Sequence, residues 1–596
     1  MIKAEKLSFG FPQKELFHKI DFTLEANRHC ALIGSNGSGK TTLTDLIRRS
    51  DDFLFEGKLR FDGTGRIGYV SQFVTRESGA DATVFDYLSE DFLRLQESIG
   101  EICAQMESAE DLDALMERYQ ELLDESDSLD ADNYEQNIRR QLQLAEMEEK
   151  ADLPISALSG GELKLVQVIR QMLRLPGLLI MDEPDVFLDF ENLRALRDLI
   201  NAYKGTLLVV THSRYLLAHC FDKIWHLENG DLQEFDGSYI AYNYSRLQKK
   251  IDQKLSANAY DEAIRLTVEM VERLRDEATE VAEAQKGRTL KQKVSYLNRL
   301  MAERIKPPFV EIRQPEIRLP RINEPAQEDA ISPAEDAIDT MPLLEVSNYH
   351  LAFDEVLLSD VSFTVSPGEK VVLVGPNGTG KTSLLRDIRK NADDAIRFAP
   401  SAAPAFFSQL HAEVLSEANS IYEELYSVGF ETPSSVEEFL TPYCFDPMSL
   451  NRKVGHLSGG EKNLLQLAKL SVSGANLLLL DEPSSHLDTF AQIALENAIK
   501  EYRGAVLMVS HDFYTVVNCA DTILFADNGT IRPMSARAFR KMIYKRHFSS
   551  EYLELELKKT ELETKIERCL EAGDCVEAQA LCDKLGEVIE KLDSHL

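Results

Sequence analysis

Three short motifs recur in this chain at one fixed distance, and no other feature limits its fold as tightly. Leu-Ser-Gly-Gly-Glu runs from Leu158 to Glu162 and again from Leu457 to Glu461. An apolar run ending in Asp-Glu-Pro, LLIMDEPDVFLD from Leu178, returns as LLLLDEPSSHLD from Leu477. His212 in Thr-His-Ser is matched by His511 in Ser-His-Asp. Every second copy stands 299 residues after the first, so the chain holds one domain twice. A glycine-rich loop precedes each set, GSNGSGKT at Gly34 to Thr41 and GPNGTGKT at Gly375 to Thr382. From loop to Leu-Ser-Gly-Gly-Glu the distance is 124 residues in the first copy and 82 in the second. Variable helical material belongs in that interval.

Both loops fit the pattern G-x-x-x-x-G-K-[ST], and each follows a short apolar strand. Phosphate oxygens crowd negative charge, and a glycine-rich turn at a helix start lets successive backbone N–H groups point at them. Gly34, Gly37 and Gly39 allow that approach, with Ser35, Asn36, Ser38 and Thr42 completing the first loop. Gly375, Gly378 and Gly380, with Pro376, Asn377, Thr379 and Ser383, repeat it. Lys40 and Lys381 supply a point charge to the β- and γ-phosphates, and Thr41 and Thr382 offer hydroxyls to Mg²⁺. A phosphate-bearing ligand with Mg²⁺ is expected.

At 596 residues the chain has room for three or four units that each bury a core. Its formal net charge of −34 argues against a surface that coats nucleic acid generally, so any such contact must be local. No apolar signal region opens the sequence, and no run approaches the roughly 18 apolar residues a membrane helix needs. A cytoplasmic protein is expected. The eight cysteines form no C-x-x-C pair and read as ordinary thiols.

These motifs, and above all YCFDPMSLNRKVGHLSGGEKNLLQLAKLSVSGANLLLLDEPSSHLD from Tyr443 to Asp488, resemble those of ATP-binding cassette pairs, specifically the ABC-F family. The likeness covers nearly the whole chain. It implies an α/β fold: two P-loop cassette domains joined by a long helical hairpin linker, with a short C-terminal helical, coiled-coil segment. The corresponding boundaries are 1–243, 244–341, 342–545 and 546–596. It makes the phosphate-bearing ligand ATP, and further implies that Phe11 and Phe353 stack on adenine, and that Gln72 and Gln409 touch Mg²⁺ and the attacking water. Asp182 and Asp481 orient the Mg²⁺ shell, Glu183 and Glu482 polarise water, and His212 and His511 bond the γ-phosphate. Ser159, Gly160 and Gly161 open a helix, as do Ser458, Gly459 and Gly460, and family geometry sets each trio across the nucleotide of the opposite copy. The chain departs from the pattern at Phe187, where the second copy has His486. That loop faces the other cassette, so the expected consequence is altered coupling, with both sites still hydrolysing ATP.

Ile264, Val268, Val271, Leu274, Ala278 and Val281 recur at helical steps, and Gly287 offers one break, which predicts a helical hairpin. Its first arm, about 40 residues, would reach roughly 60 Å. AQKGRTLKQKVSYLNRL around the break holds Lys286, Arg288, Lys291 and Lys293 and no acid, which makes these residues RNA-contact candidates. Pro307 to Thr340 is proline-punctuated and acidic, an extended return. The C-terminal segment from Glu551 carries 13 acids against 6 bases and is a poor grip for DNA. The reading favoured is a monomeric, ribosome-associated ATPase with intramolecular cassette pairing, acting on ribosomal RNA and tRNA as a translation factor or in antibiotic protection. The alternatives are the ATP-hydrolysing subunit of a transporter with a separate membrane chain, and a DNA-repair type of ABC-F protein.

Overall fold

The computed structural model describes residues 1–11, 14–61, 66–72, 82–106, 112–186, 188–280, 284–303, 315–321, 341–353, 356–527, 529–544 and 550–593. The chain forms two compact units, Met1–Asp236 with Arg313–Tyr544, and Gly237–Ile312 with Lys545–Leu596.

The first unit contains both copies, each built on a six-stranded sheet. In the first copy the strand order is Ile67–Val70, Leu178–Asp182, Leu207–Val210, His29–Ile33, Lys223–Glu228, Asp231–Asp236. The second sheet runs Pro404–Phe407, Leu477–Asp481, Ala505–Val509, Lys370–Val374, Thr522–Asp527, Thr530–Met534. All neighbours pair in parallel except the last two in each sheet. Strands covered on both faces must be apolar throughout, and Leu178–Asp182, Leu477–Asp481 and Ala505–Val509 are buried at every residue. The apolar runs therefore end in aspartate where the sheet meets the loops of the site. A three-stranded antiparallel sheet flanks each copy, with Ile2–Phe11 or Leu344–Ala352 in the middle. The longer interval of the first copy holds the helices Val84–Met106, Asp113–Ser128 and Tyr134–Leu144.

Residues 315–321 belong to the same unit and carry no helix or strand. Glu316 N–H donates to the Pro442 carbonyl at 2.8 Å, Ile317 is buried, and the Tyr443 hydroxyl meets Arg318 N at 3.4 Å and its carbonyl at 3.3 Å. The remainder of the expected extended return lies outside the described residues.

In the second unit a helix of 42 residues, Tyr239–Glu280, is followed by Ala284–Glu303. Gly287 thus lies inside the second helix and does not mark the break. One glycine costs only about 1 kcal/mol in a helix interior, less than its neighbours supply. The C-terminal segment is a pair of helices, Ser550–Ala572 and Cys575–Asp593, turning at Gly573 with φ 82°. Its apolar spacing buries Leu562, Ile566, Leu570, Cys582 and Leu585. The pair packs on the long helix: Lys254 Nζ donates to the Leu570 carbonyl, and Asn258 Nδ2 lies 3.6 Å from Cys575 Sγ.

Candidate functional site

Both glycine-rich loops join the middle strand of a sheet to a helix, Lys40–Arg48 or Lys381–Lys390. Each helix starts after a left-handed glycine with no side-chain cap, so its first amides remain available to an anion. A Cβ on Gly34, whose φ is 154°, would lie 2.1 Å from the Leu227 carbonyl oxygen. Lys40 Nζ curls back onto the carbonyls of Gly34 at 2.9 Å and Ser35 at 3.0 Å, and Lys381 Nζ onto Gly375 at 2.9 Å and Pro376 at 2.6 Å. In both copies the loop hydroxyl reaches the strand-end aspartate: Thr382 Oγ1 donates to Asp481 Oδ1 at 3.0 Å, and Thr41 bonds Asp182. Phe11 and Phe353 are exposed at 54 % and 70 %, so neither ring is a core residue.

Glu183 and Glu482 follow these aspartates in left-handed backbone, φ 45° and 50°, which is uncommon for glutamate and recurs at functional positions. Burial raises Glu183 to about 7, reinforced by Asp185, and Glu482 to about 8, reinforced by Asp481. Gln72 Nε2 donates to Glu183 Oε2 at 2.6 Å. In the second copy the His511 amide donates to Glu482 Oε2 at 3.2 Å, and its Nε2 stands 3.6 Å from Oε1. His212 Nε2 is 4.0 Å from Glu183 Oε1. Desolvation drives His511 down to about 3 and His212 well below its ordinary value, so both rings are neutral. Among the described residues both nitrogens of His212, His511 Nδ1, Asp481 Oδ2 and Glu482 Oε1 are buried without a partner.

Unmatched buried polar atoms are costly, and here they gather where a phosphate and a cation would supply partners. Hard oxygen donors, Thr41 with Asp182 and Thr382 with Asp481, suit Mg²⁺. Gln72 lies beside the first set, and Gln409 lines the adjoining cavity. No cluster of three or more His, Cys, Asp or Glu that could hold a metal exists among the described residues. The donor sets fit a cation that shares its shell with phosphate oxygens and water.

The two copies face each other through these loops. Asn36 N–H donates to Asp488 Oδ2 at 3.2 Å and Asn36 Nδ2 to the His486 carbonyl at 2.8 Å. A Cβ on Gly460 would fall 1.9 Å from Asn36 Nδ2. Reciprocally, Asn377 N–H donates to Asp189 Oδ2 at 2.9 Å. A cavity of about 480 Å³ brings Ser159 and Gly161 of one copy together with Gly378, Gln409, Glu482 and His511 of the other. Ser159 and Ser458 cap their helices through capping boxes with Glu162 and Glu461, which orients the loop toward its neighbour.

Asp189 and Asp488 were not singled out by the sequence as binding residues. Each caps the next helix with one carboxylate oxygen and holds the opposite loop with the other. An aspartate followed by a helical pattern signals the first role only. Glu228, which accepts from both the amide and the hydroxyl of Ser35, had no sequence signal. Phe187 lies outside the described residues, as do the side chains of Lys286 and Arg288. Lys291 is exposed, and Lys293 Nζ sits 5.9 Å from the Tyr296 ring centroid.

Comparison with known proteins agrees with this construction. The ABC transporter domain family matches residues 17–186 and 358–485. The energy-dependent translational throttle protein EttA of Escherichia coli (strain K12) is 29 % identical, over 87 % of this chain and 91 % of its own. ABC transporter F family member 5 of Arabidopsis thaliana is 26 % identical over 89 % of this chain and 75 % of its own. Among solved structures, RNase-L Inhibitor aligns with a TM-score of 0.53 at 17 % identity, covering 91 % of this chain and 92 % of that one, which is a likeness of fold.

Proposed function

The chain belongs to the ABC transporter family of ATP-binding domains, as a tandem ATPase of the ABC-F type, and from that premise we propose that ATP hydrolysis here drives a cycle on the ribosome. The observation that carries the reading is the reciprocal seating of each phosphate loop on the opposite copy, Asn36 on Asp488 and Asn377 on Asp189. A nucleotide gripped from both sides favours the closed pair, and its hydrolysis releases the pair. Lys40 and Lys381 hold the phosphates, with Phe11 and Phe353 against the base. Asp182, Thr41 and Gln72, and Asp481, Thr382 and Gln409, would hold Mg²⁺. Bound Mg²⁺ supplies charge at the phosphate oxygens. Glu183 and Glu482 orient water and accept its proton, and their raised affinity for protons suits that task. Neutral His212 and His511 donate an N–H toward the γ-phosphate.

The ribosomal partner rests on the relative whose name is a translational throttle and on the basic stretch from Lys286 to Lys293 in a chain of net charge −34. We place the cycle in the cytoplasm, in a monomer, with ribosomal RNA and tRNA as the linker's contacts. The linker helices and the C-terminal helices form one compact unit and act together. The transporter reading keeps one support, the family's description. Among the described residues no helix is long and apolar enough to cross a membrane.

The experiment is co-sedimentation of the Glu183→Gln, Glu482→Gln chain with ribosomes or membrane vesicles in ATP, over a salt series. Ribosome binding is expected, with a salt slope that becomes shallower when Lys286, Arg288, Lys291 and Lys293 become Glu. In the otherwise unchanged chain the same four changes should leave basal ATPase within about twofold, since none of the four residues belongs to the nucleotide sites. Sedimentation with membranes alone, or an unchanged salt slope, would sink this reading.

A further inference from the structure

Two charged residues distinguish the first site from the second. Lys164, on the helix Gly160–Leu173, is 1 % exposed. Its ammonium donates to the carbonyls of Ser71 and of Gln72, the latter at 3.1 Å. The acids that act on it are Asp185, Asp182 and Glu183, Asp185 most strongly. Asp185 in turn accepts from Thr211 Oγ1 at 2.6 Å. Exactly 299 residues later both charges are gone together: Asn463 replaces Lys164 and Ser484 replaces Asp185. Asn463 Nδ2 there donates to the Ser485 carbonyl. The loop that carries Gln409 is gripped by another residue, Gln466, which exchanges two hydrogen bonds of 3.2 Å with the Ser408 backbone.

Paired gain or loss of the two charges has a simple reason. A lone buried charge is costly, and here two opposite charges lie in one region, the ammonium on two carbonyls and the carboxylate on the Thr211 hydroxyl. The position of the ammonium then matters, because the Gln72 side chain donates to Glu183 at 2.6 Å. A cation fixed on the Ser71 and Gln72 carbonyls sets where that side chain emerges.

We propose that Lys164 is a positioning residue of the first site alone: it clamps the Ser71 and Gln72 backbone so that the Gln72 amide stays on Glu183. This rests on the reading of Gln72 and Glu183 as hydrolytic residues. The glutamine is common to both copies, as Gln167 and Gln466, and the buried cation is what the first site adds.

The test reads each site separately. In a Glu482→Gln background the residual turnover reports the first site, and in Glu183→Gln the second. Lys164→Met should lower kcat about tenfold in the first background, the scale of a small misplacement at a reacting centre. KM for ATP should stay within about twofold, while half-saturation by Mg²⁺ rises. In the Glu183→Gln background turnover should change less than about twofold. Lys164→Asn with Asp185→Ser, the neutral pair of the second copy, leaves no unpaired charge and should show the same site-selective loss; Lys164→Arg should restore most of it. Equal losses in both backgrounds would reduce Lys164 to a support of its helix, and no loss in either would remove it from the site; each overturns the proposal. Parent-like turnover of the Glu183→Gln, Glu482→Gln chain would overturn the site reading itself.

Discussion

The two candidate sites share their phosphate loops, strand-end carboxylates and reciprocal aspartate contacts, and differ in several residues packed around them. Lysine, threonine, aspartate, glutamate and histidine recur in both, and each glutamate has the same left-handed backbone. Around them the first copy uses Lys164, Asp185 and Glu228, whereas the second has Asn463, Ser484 and Asp527 at the matching positions. The contact between copies diverges as well. Arg214 of the first reaches Glu496 and, at 2.9 Å, Asp512 of the second. Its own counterpart is Phe513, whose ring centroid lies 6.3 Å from that of Phe539. Arg197, the counterpart of Glu496, pairs at home with Asp198 at 2.7 Å and with the Tyr215 hydroxyl at 2.7 Å. Phosphate chemistry fixes the inner atoms of a duplicated domain, and packing leaves several solutions for the outer ones.

The comparison meets its severest test at the glutamates. Glu183→Gln with Glu482→Gln should lower turnover by several orders of magnitude while ATP binding persists, since no phosphate contact is lost. Made singly, the two changes should have unequal effects, because only Glu183 has a glutamine side chain bonded to it while Glu482 takes the His511 amide. Steady-state assays that gave equal residual rates would mean the surrounding differences have no kinetic consequence.

A smaller effect separates the two glycines that enter the interface. A methyl on Gly460 would meet Asn36 Nδ2 at 1.9 Å and the His486 carbonyl at 2.7 Å, and the second of these is backbone. On Gly161 it would meet Asn192 Nδ2 at 2.9 Å and Leu188 Cδ2 at 3.4 Å, both ends of side chains of its own copy. Side-chain tips move more readily than backbone. Gly460→Ala is therefore expected to reduce turnover about tenfold and Gly161→Ala by no more than about threefold. The reverse order in a paired assay would show that the first loop seats differently on its neighbour.

The sheets, both phosphate loops and the strand-end carboxylates were legible in the sequence. Local chemistry specifies them within a dozen residues: an apolar run, then the acids, or a strand, glycines and a lysine. What connects the copies was not legible. Asn36 and Asp488 are 452 residues apart, and Asn377 and Asp189 are 188 apart. An aspartate at a helix start looks the same whether or not it has a second duty across an interface. Lys164 reads as one more charged residue on an amphipathic helix, and only the position of the Ser71 carbonyl reveals that it is buried. The second unit shows the opposite limit. Helical periodicity gave its long arm, but Gly287 misplaced the break, since propensity at one residue is weaker than the helix around it. The leucine spacing from which a coiled coil is expected lies in a helical hairpin packed on the chain's own long helix, because spacing names a buried face and not its partner.

The last effect expected is thermodynamic, and it compares the two glutamates in protein without nucleotide or Mg²⁺. Each binds its proton more tightly folded than unfolded: Glu183 is raised to about 7 and Glu482 to about 8 from 4.5, in both cases chiefly by burial. Below pH 4.5 both states are protonated and stability is full. As pH rises the unfolded chain releases the proton first, so stability falls until the folded value is passed and then levels off. Glutamine carries no such titration. Glu183→Gln should therefore gain on the parent between pH 5 and about 7 and stop gaining, whereas Glu482→Gln should continue to gain to about 8. At about 1.4 kcal/mol per unit of pKa and roughly 2–4 °C per kcal/mol for domains of this size, each carboxyl is worth on the order of 10 °C in melting temperature. Melting curves at half-unit steps of pH in EDTA read it directly. A difference from the parent that stays flat from pH 5 to 8 would show that these carboxyls are hydrated in the free protein. Two gains that level off at the same pH would show that Asp185 and Asp481, their nearest acids, leave the sites electrostatically alike.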